Sequence, residues 1–215
     1  RTPRPLDNAI IYELHVGGFT RHPSAGVSQP GTWAGLSEKI PYLRDLGITH
    51  VQLLPVEAFD ARGVPASVAE KGLRNCWGYS PHSMCSPHPG YSWQRDQASQ
   101  TDEFRALVQA LHAADIGVIL DVVLNHTAEG GTQGPVINYK GLMPEAFYHH
   151  DEGVLRDYTG CGNTINCNHP LVTQTLLRAL EAWVEEYGVD GFRFDLASVF
   201  VRGEDGEPLA NPPFP

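Results

Sequence analysis

The sequence predicts an α/β fold of parallel strands joined by helices and arranged as a (β/α) barrel. Three observations carry that prediction. Apolar runs of strand length alternate with segments of helical periodicity in the order β-α-β-α-β-α-β, and such alternation implies parallel strands connected by right-handed crossovers. The stretch after the first strand, "HVGGFTRHP", lacks the spacing of a phosphate-binding glycine turn and has no helix directly behind it, so a dinucleotide fold loses its support. Long loops follow strands two and three, and barrels build their sites from loops at the C-terminal ends of their strands.

Each element has its own signals. Residues 9–16, "AIIYELHV", form the first apolar strand. Residues 32–47 carry Leu36, Ile40, Leu43 and Leu46 at helical spacing, with Thr32 as N-cap and Gly47 as the stop. Residues 48–56, "ITHVQLLPV", make the second strand, and a long loop rich in Gly, Pro and aromatic residues follows. Residues 101–117 are an amphipathic helix opened by Thr101 or Asp102 with acids in its first turn, running into the third strand, residues 117–127. A second long loop leads to a helix over residues 169–188 with Pro170 in its first turn, and then to the fourth strand, "VDGFRFDLA", residues 189–197.

Composition narrows the classes of function. A chain of 215 residues with 41% hydrophobic content and no linker-like stretch reads as one unit with a substantial core. A net charge of -10 without clustered Lys or Arg excludes nucleic acid as the expected partner, because phosphate neutralisation needs clustered cations. No apolar run approaches a membrane span, and the start lacks the order of a signal peptide. The chain begins at Arg1 and stops in "ANPPFP", so both ends read as cuts. The expected location is cytoplasmic, or plastid or secreted if a targeting segment has been removed. Cys76, Cys85, Cys161 and Cys167 are too few for a disulfide framework and favour a reducing compartment. Cys76, His82, Cys85 and His88 lie close together in "CWGYSPHSMCSPH", but their spacing matches no common zinc pattern, so no metal and no cofactor are expected.

The stretch "GFRFDLAS", residues 191–198, places two charges in a strand-like run. Alternation puts Phe192 and Phe194 on one face and Arg193 and Asp195 on the other. An antiparallel strand could leave that face wet, but a parallel sheet is covered on both sides, so these charges are expected to be enclosed. Asp121, flanked by "GVIL" and "VVL", shares that expectation. Enclosed carboxylates are costly unless paired, and Arg193 supplies a partner. Asp121, Asn125, His126, Arg193 and Asp195, rimmed by Trp77, Tyr79, Tyr91 and Trp93, suit a neutral, hydroxyl-rich ligand, since aromatic faces stack on sugar rings and carboxylates serve as nucleophile, acid or hydroxyl acceptor. No predicted strand carries a lysine, which argues against a Schiff-base barrel.

The motifs "DVVLNHTAEGG" and "VDGFRFDLAS" resemble two signature regions of the α-amylase superfamily of retaining α-glucan enzymes. "LLPVEAF", "CWGYSPHSM" and "DYTGCGNTINCNHP" resemble its isoamylase and glycogen-debranching branch, and the similarity runs from about Ala9 to Pro213. Position by position, the resemblance makes Asp195 the nucleophile and Arg193 the arginine that keeps it ionised and oriented. It makes Asp121 an aspartate at the base of the site, His126 a histidine that hydrogen-bonds the sugar, and Tyr79 the aromatic platform beneath that sugar, with Trp77 beside it. Asn125 is grouped with the substrate-binding residues; it corresponds to a calcium ligand in α-amylases, a site that the debranching branch generally does not keep.

Under the resemblance the fold is the N-terminal half of a (β/α)8 TIM barrel with long loops after strands 2 and 3, and residues 1–215 are a partial glycosidase catalytic domain. The superfamily's general acid follows a fifth strand, and nothing after Ser198 resembles it. The expected function is hydrolysis of α-1,6 branch linkages in glycogen, amylopectin or limit dextrin, with the chain inactive and poorly stable alone. Two alternatives stand beside it: another activity of the superfamily, α-1,4 hydrolysis or glucan transfer, and a non-catalytic glucan-binding or regulatory homologue.

Overall fold

The computed structural model describes residues 6–94 and 99–212. Its centre is a parallel sheet of four strands, β1 (Ile11–Leu14), β2 (His50–Leu53), β3 (Gly117–Val122) and β4 (Gly191–Phe194), lying side by side in chain order. This is the arrangement of the first half of a (β/α)8 barrel, with β1 and β4 at its two edges. Every residue of β3 is buried, whereas Ile11 of β1 is 45% exposed. The registers pair Leu14 with Leu53, Leu53 with Leu120, and Asp121 with Arg193. Gly117 opens β3 because the His50 ring lies where its side chain would be; a Cβ would meet that ring at 2.4 Å.

All four strands are shorter than the apolar runs that announced them. After β3, residues 123–127 stay buried while turning away from the ladder, whereas Ile10 before β1 and Leu196 after β4 are exposed. The helix expected over residues 32–47 is two: α1 (Trp33–Ser37), capped by Thr32 on the Gly35 N–H, and α2 (Ile40–Asp45). The break follows from Pro41, which has no N–H to offer the Ser37 carbonyl. Gly47 ends the second piece at φ 83°. The next helix, α3 (Gln100–Ala113), has Ser99 as its N-cap residue, not Thr101 or Asp102. Glu103 displaces them by reaching back to accept from Ser99 Oγ (2.6 Å) and from the backbone N–H of Trp93 and Gln94. Helix α4 (Pro170–Tyr187) matches its expected span, with Pro170 in its first turn and a left-handed Gly188 at its end.

The helices cover one side of the sheet with their apolar faces. Phe104, Leu107, Val108 and Leu111 of α3, and Val172, Leu176, Trp183 and Tyr187 of α4, are buried there. Phe104 packs tilted against Trp33 and edge-on to Trp183, with ring centroids 5.1 and 5.5 Å apart. The His112 ring and the Val118 N–H both meet Asp190 Oδ2 at 2.8 Å, fastening the end of α3 to the approach of β4.

The loop after β2 is not structureless. Glu57–Phe59 pairs antiparallel with Pro81–Pro87, with two register irregularities. Its prolines and serines conceal it in the sequence, since proline is a poor strand residue outside edges and bulges. The Trp183 indole N–H donates to the Met84 carbonyl at 2.8 Å and ties this hairpin to α4. The four cysteines are free. Among the described residues, no three His, Cys, Asp or Glu gather into a group that could hold a metal ion, and no helix is long and apolar enough to cross a membrane.

Glu57 is fully buried, with Oε2 accepting the Val123 N–H at 3.0 Å and Oε1 without a hydrogen-bond partner among the described residues. Burial pushes its pKa well above the ordinary value of 4.5, with the Asp121 charge adding to the rise and the Val123 N–H opposing it. The folded protein keeps this proton at pH values where the unfolded chain has released it. The resulting stabilisation is complete below about 4.5 and is lost as pH rises toward the folded value. Glu57→Gln cannot ionise, so it should flatten that decline and be more stable than the parent near neutral pH. Denaturant midpoints in mild acid and at neutral pH check this; an unchanged slope assigns the pH dependence to other groups.

Candidate active site

The C-terminal ends of β3 and β4 bring the predicted charges together. Arg193 lies beside Asp121 in the ladder, and its Nη1 donates to Asp121 Oδ1 at 3.0 Å and to Asp195 Oδ1 at 2.8 Å. Asp195 follows the last residue of β4, but its N–H still donates to the Val122 carbonyl at 3.1 Å. The strand alternation therefore persists far enough to place Arg193 and Asp195 on one face. Leu196 then turns left-handed at φ 48°, a conformation costly for a branched residue, and the strand ends.

Enclosure of this pair is corrected by the structure. Arg193 has 44% of its side chain exposed and Asp195 17%, because β4 is the outermost strand of the described sheet; Asp121, on interior β3, is 2% exposed. Burial raises the Asp121 pKa, and two partners oppose it: the Tyr79 hydroxyl, donating to Oδ2 at 2.7 Å, and Arg193. The hydrogen bond to Asp195 is the largest influence holding Arg193 protonated above its ordinary range. Burial, followed by the bond to Asp121, pushes the Tyr79 phenol up.

Asn125 has zero exposure, and its amide donates to both the carbonyl and Oδ2 of Asp195 at 3.0 Å. The amide thus holds the carboxylate from behind. Its Oδ1 meets His126 Nδ1, and His126 Nε2–H donates to the Tyr79 carbonyl at 2.8 Å. His126 is 4% exposed with both ring nitrogens engaged, so here it braces Tyr79 against Asn125. Its two partners are acceptors that favour the doubly protonated ring; burial lowers its pKa, against the Tyr79 carbonyl and the charge of Asp195.

Two of the four rim aromatics are open to solvent: Trp77, 64% exposed with its ring 6.3 Å from that of Tyr79, and Trp93, 54% exposed. Tyr91 is a correction to the rim. The short turn Pro89–Tyr91 folds its ring inward, where it is 5% exposed, packs edge-on to Trp33 and meets His15 through its hydroxyl at 3.0 Å.

The residue patterns leave unseen a polar layer beneath the site. Asn163 accepts the Thr127 N–H and donates to the carbonyls of Thr127 and Gly130. Asp157 accepts backbone N–H groups from Thr159, Gly160, Cys161 and Gly162, shaping the turn that carries Asn163. Gly162 (φ 95°) could not carry a side chain, since a Cβ would lie 2.5 Å from the Gly131 nitrogen. The glycines of "AEGG" and "GCGN" were the available sign that two loops press backbone to backbone here.

Parallel strands with helices between them, and a bridged carboxylate pair at their C-terminal ends, define the class as a (β/α) barrel. The chain belongs to the α-amylase family: residues 14–153 match the family described as alpha amylase, catalytic domain. It is 44% identical over 211 residues to the Glycogen operon protein GlgX homolog of Mycobacterium tuberculosis, covering 94% of this chain and 29% of that protein. It is 41% identical to the chloroplastic Isoamylase 1 of Arabidopsis thaliana, over 96% of this chain and 27% of that one. A pullulanase from Paenibacillus barengoltzii, solved in complex with maltohexaose and alpha-cyclodextrin, superposes with a TM-score of 0.81 at 32% identity, covering 93% of this chain and 32% of that chain. The chain thus spans less than a third of the length of these proteins.

Tyr79→Phe isolates one bond of the site. It leaves Asp121 Oδ2 buried without its partner and should destabilise the fold by about 1–3 kcal/mol. Chemical denaturation checks the value; no loss would mean that water replaces the hydroxyl.

Proposed function

We propose that the full-length protein carrying this chain is a retaining glycoside hydrolase that cleaves α-1,6 branch linkages in glycogen, amylopectin or limit dextrin. The single observation that carries the reading is the Arg193 guanidinium joining a half-exposed face to Asp195 and Asp121 at the mouth of parallel strands. In this reading Asp195 attacks the anomeric carbon of the sugar. The glycosidic C–O bond breaks, a carboxylic acid protonates the departing oxygen, and a glycosyl ester forms on Asp195. Water, deprotonated by the same acid group, then displaces Asp195 and restores it. Retaining cleavage needs the two carboxyl groups about 5–5.5 Å apart. Asp121 is too deeply buried to meet a leaving group, so we assign the acid to the remainder of the full-length protein.

Arg193 orients the nucleophile through its first carboxylate oxygen, and Asn125 sets the second. We assign Tyr79 and Trp77 as the stacking surface for the sugar, with His126 as the brace behind Tyr79. A net charge of -10 agrees with a neutral substrate. The choice of the α-1,6 bond leans on the names of the relatives, isoamylase and pullulanase among them; cleavage of α-1,4 bonds or glucan transfer is the alternative that the shared residues also permit.

Asp195→Asn in the full-length protein should lower turnover of a branched glucan by roughly 10³-fold or more while binding persists, because shape is kept and the nucleophile is lost. Comparable turnover would remove Asp195 from that role. The parent should release linear chains from amylopectin with rising iodine staining, and liberate reducing ends only slowly from amylose. Rapid attack on amylose would favour the α-1,4 alternative.

A further inference from the structure

We infer that the ammonium group of Lys140 serves as a resident cation that shapes the loop behind His126, which makes Lys140 a positioning residue for Asp195. The cation role stands on the geometry alone; the positioning role rests on the hydrolase reading above.

Lys140 Nζ donates to the backbone carbonyls of Gly131 (2.8 Å), Gly134 (3.0 Å), Glu129 (3.2 Å) and Thr132 (3.4 Å). Four carbonyl oxygens therefore converge on a group with three protons. Their dipoles point their negative ends at one another, an arrangement that needs a positive charge at its centre, as in cation sites lined by backbone oxygen. The loop doubles back so tightly that a Cβ on Gly134 would lie 2.1 Å from the Glu129 carbonyl oxygen.

The same loop turns its N–H groups toward a negative centre. The Glu129 carboxylate, with zero exposure, accepts from the backbone of Ile137 (2.7 Å), Asn138 (3.0 Å) and Lys140 (3.1 Å) and from the Tyr148 hydroxyl. Burial raises its pKa, but the Tyr148 hydroxyl and these N–H groups outweigh burial and hold the carboxyl below its ordinary range. One segment thus folds its carbonyls around a cation and its amides around an anion.

This knot is connected to the nucleophile. Tyr148 also meets Thr127 Oγ1 at 2.8 Å, and Asn163 clamps Thr127 to Gly130. Thr127 follows directly on Asn125 and His126, and the Asn125 amide holds Asp195. Loss of the cation should release the loop at its base and let Asn125 and Asp195 drift together.

The test uses the full-length protein. Lys140→Met keeps the aliphatic stem and removes the charge; it should lower kcat by about tenfold or more with a smaller change in KM, since orientation of the nucleophile acts in the chemical step. Lys140→Ala opens the carbonyl ring. Ammonium, methylammonium or potassium should raise its melting temperature and return most of the lost kcat, whereas tetramethylammonium at equal ionic strength should not, and the parent should respond to none of them. Folding of Lys140→Ala only in the presence of a small cation would support the inference as well. A Lys140→Met variant with the parent's melting temperature and kcat, or a Lys140→Ala variant indifferent to cation size, would overturn it. If the parent shows no turnover on any glucan the hydrolase reading fails, and the melting temperatures still decide the cation role.

Discussion

One guanidinium nitrogen stands between two carboxylates, and the geometry of the site follows from that. Without Arg193, Asp121 and Asp195 would be like charges a few ångströms apart, one of them cut off from water. Arg193 Nη1 lies within 3.0 Å of an oxygen of each, so its positive charge offsets the repulsion between the two carboxyl groups and the cost of burying Asp121. The strand register that sets Asp121 beside Arg193, the alternation that carries Asp195 onto the same face, and the Tyr79 hydroxyl on the other Asp121 oxygen all serve to hold that charge in place. An arginine suits the position because its rigid, delocalised fork stays protonated beside buried acid.

Behind the charges the structure is stiffened by backbone rather than by apolar packing. The loops after β3 and before α4 carry Asn163, Asp157, Glu129 and Lys140, each of which gathers several main-chain groups. Loops built this way satisfy their own polar groups, which allows them to lie buried beside a barrel mouth. They also fix Asn125 and His126 more tightly than a strand end would, since residues 123–127 have already left the ladder.

Exposure grades outward from this base. Asp121, Asn125 and His126 are nearly closed to solvent, Asp195 is at 17%, and Trp77 is largely open. The groups that orient lie inside, and the groups suited to touch a sugar lie outside. Glu57, sealed and holding its proton, belongs with the inner set: it receives the Val123 N–H just past the end of β3 and adds a second acid group beneath Asp121.

The sequence by itself determined the order of strands and helices, the α/β class, and the pairing of Arg193 with Asp195, because these depend on periodicities of two and 3.6 residues that a single chain displays. It also marked Asp121, Tyr79 and Trp77, whose residue types are unusual for their places. Tertiary structure alone decided the rest. Pro41 split a helix whose apolar spacing looked continuous, and a proline-rich loop became a hairpin once α4 offered Trp183 to hold it. Tyr91 turned inward to Trp33, Asn125 reached Asp195 and His126 reached the Tyr79 carbonyl, because burial and partners depend on what lies across the fold and not on neighbours in sequence. The Lys140 and Glu129 centres left no trace in the residue pattern for the same reason. Their partners are main-chain atoms, which every residue carries, and only the path of the folded chain determines which of them converge.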